Sequence, residues 1–449
     1  MPEITIIMPS LNVGNYIRSC IESVLNQSFT DIEILAVDAG STDGTVEILE
    51  EYARKDRRLH IIHSDKKSYG YQVNLGIESA AGEYIGIVET DDLIAEDMYQ
   101  ILYQAVSADG LEYVKCGFSS FVDLGNGLQW YQKGGRCIAE QNLTGKIISP
   151  KSMPELAIQD YYLWTGLYQK EFIKDIRLSE TPGAAFQDIG FIYQVLSSAE
   201  KAVYLDDELY FYRQTRANSS YNKKGFQYLI QEYSNLSRVL PSKSDEWVHA
   251  FYARMFRQTV GRFQRMAAGR TDWKDIENDV RVLWEKLKQA EAEKRFRIEK
   301  LSDDNRKTYD KLINNPHDLF HDECVLLEPR IQKLWAVLDQ IGNREVVIFG
   351  CGEYGKYTHL LLETYKPNQV YAYCDNNKSL FGTKVQGVEV ISPETAVRTY
   401  PNAEYVTANR KGWSDIQRQL LELGITEEQF CIYQPDFDIK LFCLEYVPG

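Results

Sequence analysis

The sequence of 449 residues predicts an α/β protein in which two alternating strand–helix units flank a helical segment. Short apolar runs alternate with amphipathic segments over the first hundred residues, and the same alternation restarts near residue 344. Between about 222 and 338 helical periodicity dominates. Such alternation is typical of mostly parallel sheets covered by helices.

The first unit predicts four strands with a helix after each of the first three. Pro9 closes the first apolar run, and Ile17, Ile21, Val24 and Leu25 then recur at helical spacing. The strands are predicted at 3–9, 32–38, 59–64 and 83–88, and the helices at 15–27, 41–55 and 70–81.

The rest of the chain suggests where domains begin and end. From about 110 to 220 the pattern is mixed and has glycine-rich turns, and "REVVIFGCGEYGKYTHLLLETY" (344–365) is a strand, a turn and a helix. We therefore predict a first domain at 1–220, a helical region at 221–340, a second α/β domain at 341–437 and a tail at 438–449.

Composition excludes some classes of protein. A formal charge of −15 argues against general nucleic-acid binding, which needs a basic surface. The eight cysteines form no Cys-x-x-Cys pair, so they are expected to be reduced rather than to bind zinc. We see neither a signal peptide nor about 18 consecutive apolar residues, and we expect a cytoplasmic protein.

Polar residues follow three strands of the first unit at the point where each strand ends. Ser10 and Asn12 follow the first strand, Asp38 ends the second, and "ETDD" (89–92) follows the fourth. Ligands bind beyond the carboxyl ends of such strands, so the three ends should form one site. Carboxylates spaced Glu-x-Asp-Asp can present two oxygen ligands to Mg²⁺ or Mn²⁺, although an acidic surface turn has the same pattern.

Three motifs together resemble the family 2 glycosyltransferases, of the inverting type that builds bacterial surface polysaccharides on a GT-A fold. They are "MPSLNVGNYIRSCIESVLNQS" (8–28), "VDAGSTDGT" (37–45) and "GYQVNLGIESAAGEYIGIVETDD" (70–92). The resemblance covers roughly the first 220 residues, and the order and the spacing of the motifs both agree. It implies a nucleotide-diphospho-sugar transferase domain.

The resemblance also implies roles for individual residues. It implies that a divalent ion, Mn²⁺ or Mg²⁺, bridges the donor's two phosphates. Ala39 and Glu89 depart from the usual aspartates, which leaves the nucleotide less certain and makes Asp91 the safer ligand. The implied donor residues are Pro9, Ser10, Asn12, Asp38, Lys66, Asn74, Asp91 and Arg213, and the implied metal ligands are Glu89, Asp91 and Asp92.

Asp188 matches the general base of the family. It stands just before a predicted helix, where an acid is also favoured by the helix dipole, and Gln187 replaces the usual glutamate. Trp164 matches an aromatic position near the acceptor, although a core tryptophan is equally consistent. Arg213 either reaches the diphosphate or pairs with Asp206 or Asp207.

The segment 251–270 predicts a basic amphipathic helix without acids. It would rest on anionic lipid at the inner face of the membrane, meet an anionic acceptor, or pack against acids of its own chain. Its cations are Arg254, Arg257, Arg262, Arg265 and Arg270.

A second glycine motif follows the strand at 346–349. Gly350, Gly352 and Gly355 have the Gly-x-Gly-x-x-Gly order, and Asp375 ends the next strand. The domain resembles small Rossmann-like domains appended to sugar-modifying enzymes. It would serve assembly, bind a nucleotide sugar or bind a dinucleotide.

These observations predict an inverting, metal-dependent glycosyltransferase. The donor would be a nucleoside diphosphate sugar, in the first place a UDP-sugar, and the acceptor a hydroxyl of a surface glycan or a lipid-linked saccharide. The alternatives are a nucleotide-sugar-binding scaffold and a bifunctional protein whose second domain binds a dinucleotide. A homodimer is compatible with the long helices.

Overall fold

The computed structural model describes residues 2–108, 110–124, 128–214, 224–437 and 441–442. It confirms an α/β protein with two sheets and a helical region between them in the chain. Most of the predicted tail at 438–449 lies outside the described residues.

Four parallel strands form one half of the first sheet, in the order β3–β2–β1–β4. Every residue of β1 is buried, because helices cover both faces, and the strands accordingly read as continuous apolar runs. The strands are β1 (Ile4–Ser10), β2 (Ile32–Asp38), β3 (Leu59–His63) and β4 (Tyr84–Ile87). The helices are α1 (Ile17–Leu25), α2 (Thr45–Lys55), α3 (Tyr69–Ser79) and α4 (Met98–Ala108).

The mixed sequence pattern at 110–220 corresponds to the other half of this sheet. Beyond β4 the order continues β8–β6–β9–β5, and β7 pairs with β6 as a hairpin. These strands are β5 (Leu93–Ile94), β6 (Tyr113–Asp123), β7 (Gln129–Gly135), β8 (Gly166–Gln169) and β9 (Ala202–Arg213). The helices here are α5 (Lys170–Ile173) and α6 (Gln187–Leu196).

The helical region packs on the first sheet domain and does not form a separate domain. One continuous cluster of buried apolar side chains runs from Ile4 to Phe320, across the predicted boundary at residue 220. The helices are α7 (Gly225–Leu236), α8 (Asp245–Ala268), α9 (Trp273–Ala292), α10 (Asp303–Asn314) and α11 (Pro316–Ile341). In the described chain, no helix combines the length and the apolar character that crossing a bilayer requires.

The second sheet has the order β12–β13–β11–β10–β14–β15, in which the chain winds to both sides of β10, as in Rossmann-like folds. Its strands are β10 (Val346–Phe349), β11 (Val370–Cys374), β12 (Lys384–Val385), β13 (Val388–Ile391), β14 (Glu404–Thr407) and β15 (Phe430–Ile432). Its helices are α12 (Glu353–Tyr365), α13 (Pro393–Thr399) and α14 (Trp413–Glu422).

The β6–β7 hairpin of the first sheet reaches into the second domain. Trp130 on β7 is buried against Tyr357, Phe437 and Phe442, with ring centroids 4.8, 5.8 and 6.3 Å away. Gln386 donates a hydrogen bond of 3.2 Å to the Gln129 carbonyl. The two sheet domains therefore share an apolar core at this hairpin.

Candidate active site

The ends of β1, β2 and β4 meet at one edge of the first sheet, as the sequence predicts. Ser10 lies opposite Asp38 in the β1–β2 register, and Ile7 lies opposite Ile87 in the β1–β4 register. The Thr90 hydroxyl donates to the Pro9 carbonyl at 2.8 Å, which ties the acidic turn after β4 to the end of β1.

Asp38 closes a tight turn with its own carboxylate. It accepts hydrogen bonds from the Gly40 and Ser41 amides, at 2.8 and 3.0 Å, and from the Ser41 hydroxyl at 2.5 Å. Gly40 has a φ of +81°, which favours glycine at this position. The turn holds Asp38 buried at the edge where the resemblance places the nucleotide.

Asn12 links the β1 loop to the same turn. The backbone amide of Asn12 donates to the Ser41 hydroxyl, and its side-chain oxygen accepts from the Thr42 backbone amide, both at 2.9 Å. Ser10 is buried and its hydroxyl donates to the Met8 carbonyl, and Pro9 is likewise buried within the strand. Of the predicted residues in this loop, Asn12 is therefore the one at the surface.

The three acids after β4 have different environments. Glu89 accepts a hydrogen bond from the Tyr69 hydroxyl, and its burial raises its pKa to about 8. Asp91 is partly exposed, burial raises its pKa, and no other residue of the described chain donates a hydrogen bond to its carboxylate. Asp92 has no exposed surface and accepts from the Tyr210 hydroxyl at 2.8 Å and from the Arg213 amide at 2.6 Å.

Asp92 differs from the other two predicted metal ligands in this arrangement. Both Asp92 oxygens are engaged inside the protein, and within the described residues three acidic, histidine or cysteine side chains do not come together as a metal site. Glu89 and Asp91 remain at the edge. Two carboxylates fit Mg²⁺ or Mn²⁺, because these ions take one or two protein carboxylates and complete their shell with phosphates and water.

Arg213 holds the acidic turn in place through buried contacts. It is buried, its Nε donates to the Asp91 carbonyl at 2.5 Å, and it pairs with Asp123 at 2.9 Å. Arg213 does pair with an acid, as one of the two predicted alternatives has it, but the acid is Asp123 and not Asp206 or Asp207. The guanidinium lies near the rings of Phe121 and Tyr16.

Lys66 and Asn74 both hold the segment that precedes Asp188. Lys66 pairs with Glu180 at 3.1 Å, and Asn74 exchanges hydrogen bonds of 3.0 Å with the Leu178 backbone. Asn74 is buried and also donates to Glu180. These predicted donor residues position a loop in this structure.

Asp188 lies in the first turn of α6, and Gln187 anchors that turn. The Gln187 side chain accepts from the Gly70 amide at 2.8 Å and donates to the Thr181 carbonyl at 3.0 Å. Tyr69, next to Gly70, reaches Glu89, so α3 connects the base candidate to the acidic turn. Burial raises the pKa of Asp188 to about 6, against the lowering effect of the Arg254 guanidinium.

Trp164 belongs to an aromatic cluster beneath the acidic turn. Its ring is 5% exposed and stacks on Tyr210 and Tyr212, with centroids 4.2 and 5.2 Å away. Tyr210 in turn donates to Asp92 and accepts from the Glu89 amide. The packing favours the core role for Trp164 over contact with an acceptor.

The predicted basic outer surface at 251–270 is wrong for most of its length. Arg254 has no exposed surface, and Arg262 is buried with its guanidinium 4.5 Å from the Phe186 ring. Phe251, Phe256 and Phe263 are also buried, because α8 is an interior helix. Arg257 and Arg270 are exposed, and Arg270 packs over Trp335.

The second glycine motif forms a tight turn, and the acid of the motif is engaged within it. Gly350 has a φ of +106°, and a Cβ at Gly355 would lie 2.0 Å from the Gly350 carbonyl oxygen, whereas Gly352 faces open space. The Asp375 carboxylate accepts from the Cys351 and Asn377 amides at 3.2 and 2.8 Å. Asp375 thus stabilises the turn itself.

The sequence motifs did not indicate Tyr69, which links α3 to Glu89. Tyr69 begins α3 and matches no motif residue. Arg254 was indicated only as one cation of the acid-free segment 251–270, and the structure places its charge near Asp188.

Comparison with known proteins shows similarity to glycosyltransferases. Residues 5–174 match the family described as Glycosyl transferase family 2. The uncharacterized glycosyltransferase EpsJ of Bacillus subtilis (strain 168) is 29% identical over 67% of this chain and 89% of its own length. Glycosyltransferase GlyG of Streptococcus pneumoniae serotype 4 is 30% identical over 47% of this chain and 70% of its own length.

A solved structure shares the fold. S. aureus TarS, residues 1–349, superposes with a TM-score of 0.51 and 16% identity over 74% of this chain and 92% of that chain. The fold and the site thus define a GT-A glycosyltransferase. The chain belongs to family 2 of the glycosyltransferases.

Proposed function

We propose that this enzyme is an inverting, divalent-metal-dependent transferase that moves a sugar from a nucleoside diphosphate donor, in the first place a UDP-sugar, to a hydroxyl of a cell-surface glycan or lipid-linked saccharide. The observation that carries the proposal is the connection of Asp188 to the acidic turn. Gly70 bonds to Gln187 and the adjacent Tyr69 bonds to Glu89, so a candidate base and two candidate metal ligands belong to one framework.

The donor side of this framework is the edge formed by β1, β2 and β4. The Asp38 turn and Asn12 would hold the nucleoside, in the roles that the family resemblance implies. Glu89 and Asp91 would hold Mn²⁺ or Mg²⁺. The ion would neutralise the charge that develops on the diphosphate as the anomeric bond breaks.

Asp188 would act on the acceptor. A hydroxyl oxygen attacks the anomeric carbon while the bond to the diphosphate breaks, and its proton passes to the Asp188 carboxylate. A single displacement of this kind inverts the anomeric configuration. The buried Gln187 and the segment from Leu178 to Glu180 would keep the carboxylate in place.

The acceptor class rests on the family resemblance, which is to transferases of surface polysaccharides. The buried Asn74 side chain holds the segment before Asp188 through hydrogen bonds to Leu178 and Glu180. Asp188 itself is partly exposed, so an acceptor hydroxyl can approach it.

The test is a panel of nucleotide sugars assayed for release of nucleoside diphosphate with Mn²⁺, with Mg²⁺ and with a chelator. We expect nucleoside diphosphate to be released from a UDP-sugar and the release to stop when the metal is chelated. The rate of sugar transfer should fall by at least about 100-fold in Asp91→Ala and in Asp188→Asn. Transfer by Asp188→Asn at the wild-type rate would refute the base assignment. Tight UDP-sugar binding without turnover in every condition would instead favour the scaffold.

A further inference from the structure

Arg254 is a buried cation whose hydrogen-bonding groups are unused. The residue has no exposed surface, and its Nε and both terminal nitrogens lack a hydrogen-bond partner in the described chain. The guanidinium carbon lies 5.7 Å from the centroid of the Tyr161 ring. Burying an unpaired charge is unfavourable, so the position of Arg254 calls for an explanation.

Contacts along α8 place Arg254 beside the start of α6. Trp247 accepts through its carbonyl from the Tyr193 hydroxyl at 2.8 Å, and Phe251 packs on the same tyrosine. Farther along α8, Arg262 stacks on Phe186, just before α6 begins. The two helices therefore run in opposite directions, and Arg254 lies between these contacts on the same face of α8, near enough for its charge to act on Asp188.

The other charged groups that face Asp188 are either acidic or already neutralised. Lys115 pairs with Asp160 at 2.5 Å, and Glu89 and Tyr69 bond to each other. On α7, Glu232 accepts from the Ser179 hydroxyl, and burial raises its pKa to about 7. Among the described groups around Asp188, Arg254 is thus the cation without an ion-pair partner.

We propose that Arg254 is a positioning residue, supplied by the helical region, that keeps Asp188 in its carboxylate form beside the acceptor site. The inference rests on the proposed role of Asp188 as general base. A positive charge near a buried carboxylate offsets the loss of its hydration, and the Arg254 guanidinium does lower the pKa of Asp188. The helical region therefore contributes a positioning residue to the active site.

The test compares the pH dependence of sugar transfer in wild type and Arg254→Met. We expect the acidic limb of the Arg254→Met profile to move to higher pH, so that its rate falls roughly fivefold at pH 6 and hardly changes at pH 8. Arg254→Lys should retain the wild-type limb because it keeps the charge. Arg257→Met is the matched control, since Arg257 is exposed on the same helix.

Two outcomes would overturn the inference. One is an acidic limb of Arg254→Met that coincides with wild type, and the other is an equal loss at pH 6 and pH 8, which indicates a structural role. If Arg254→Met does not fold, Arg254→Gln replaces it in the same comparison. Transfer by Asp188→Asn would overturn the base assignment separately, because that variant retains Arg254.

Discussion

Asp188 is an acid whose burial opposes its ionisation. The pKa rises from 3.8 to about 6, so the basic carboxylate form is lost as the pH falls through 6. We predict that kcat/KM for transfer declines below pH 6 and falls about tenfold per pH unit well below it. Measuring the profile with a saturating metal concentration checks this, and a flat rate from pH 8 to pH 5 would contradict it.

The same shift has a consequence for stability. A carboxyl with a raised pKa stabilises the folded state below its unfolded pKa, and that contribution is lost as the pH rises through the folded pKa of about 6. Asp188→Asn should therefore have a higher Tm than wild type at pH 8, with the difference disappearing near pH 4. Thermal unfolding at both pH values measures it.

Asp91 and Asp92 are adjacent acids, but we expect their alanine variants to lose different properties, activity in one and stability in the other. Asp91→Ala removes a carboxylate that no other described residue bonds, so activity should fall while the Tm stays within about 2 °C of wild type. Asp92→Ala leaves the buried Tyr210 hydroxyl and Arg213 amide without their acceptor, at a cost of roughly 2–5 kcal/mol for the two groups.

Paired activity and thermal-unfolding measurements on the two alanine variants decide this. Equal losses of Tm would show that Asp91 is as structural as Asp92. An active Asp91→Ala enzyme with unchanged metal requirement would remove Asp91 from the site.

At the scale of elements, the close approach of α3 to the segment before α6 positions the base candidate. A Cβ at Gly70 would lie 2.0 Å from the Ser179 carbonyl oxygen, so Gly70→Ala must push these elements apart. We predict a loss of activity of at least tenfold, because the displacement separates Asp188 from Glu89.

Gly261→Ala on α8 is the matched control, since a Cβ there meets nothing within 4 Å. It should raise the Tm slightly, because alanine is a better helix former than glycine by about 1 kcal/mol. Rates of nucleoside diphosphate release and thermal unfolding of both variants test the pair. A fully active Gly70→Ala enzyme would show that the approach is not needed.

At the scale of the whole molecule, Trp130 joins the two sheet domains. It is 5% exposed and packs among aromatic rings of the second domain. We predict that Trp130→Ala costs about 3–5 kcal/mol of docking energy and lets the second domain separate. Small-angle scattering should then show a larger radius of gyration.

The exposed Trp413 on α14 provides the control, because Trp413→Ala removes the same side chain at 37% exposure. It should leave the radius of gyration unchanged. A compact Trp130→Ala protein would show that the remaining contacts, such as that of Gln386 with Gln129, suffice for docking.

Several features could be predicted because they depend on nearby residues. The strands at 4–10, 32–38 and 84–87 follow from apolar runs, and the convergence of Ser10, Asp38 and Glu89 follows from parallel pairing. The base candidate Asp188 came from the family resemblance, and its local setting at a helix start was equally visible. These predictions depended only on the pattern of apolar residues and on the order of motifs along the chain.

Other features required contacts between distant segments. The orientation of Asp92 depends on Tyr210 and Arg213, more than a hundred residues away, and the burial of Arg254 depends on how α8 crosses α6. A run of arginines has the same sequence pattern on a surface helix and on an interior one. Periodicity therefore could not distinguish a membrane-facing α8 from a buried one.

The sequence by itself determined the α/β class and the edge of the sheet that carries the acids, because local periodicity and strand order set both, and its three motifs indicated the family by resemblance. Only the tertiary structure decided that Tyr210 and Arg213 engage Asp92, that Arg213 pairs with Asp123, and that Arg254 is buried without a hydrogen-bond partner in the described chain. These depend on long-range packing, in which each buried polar group takes whichever partner the fold brings near it.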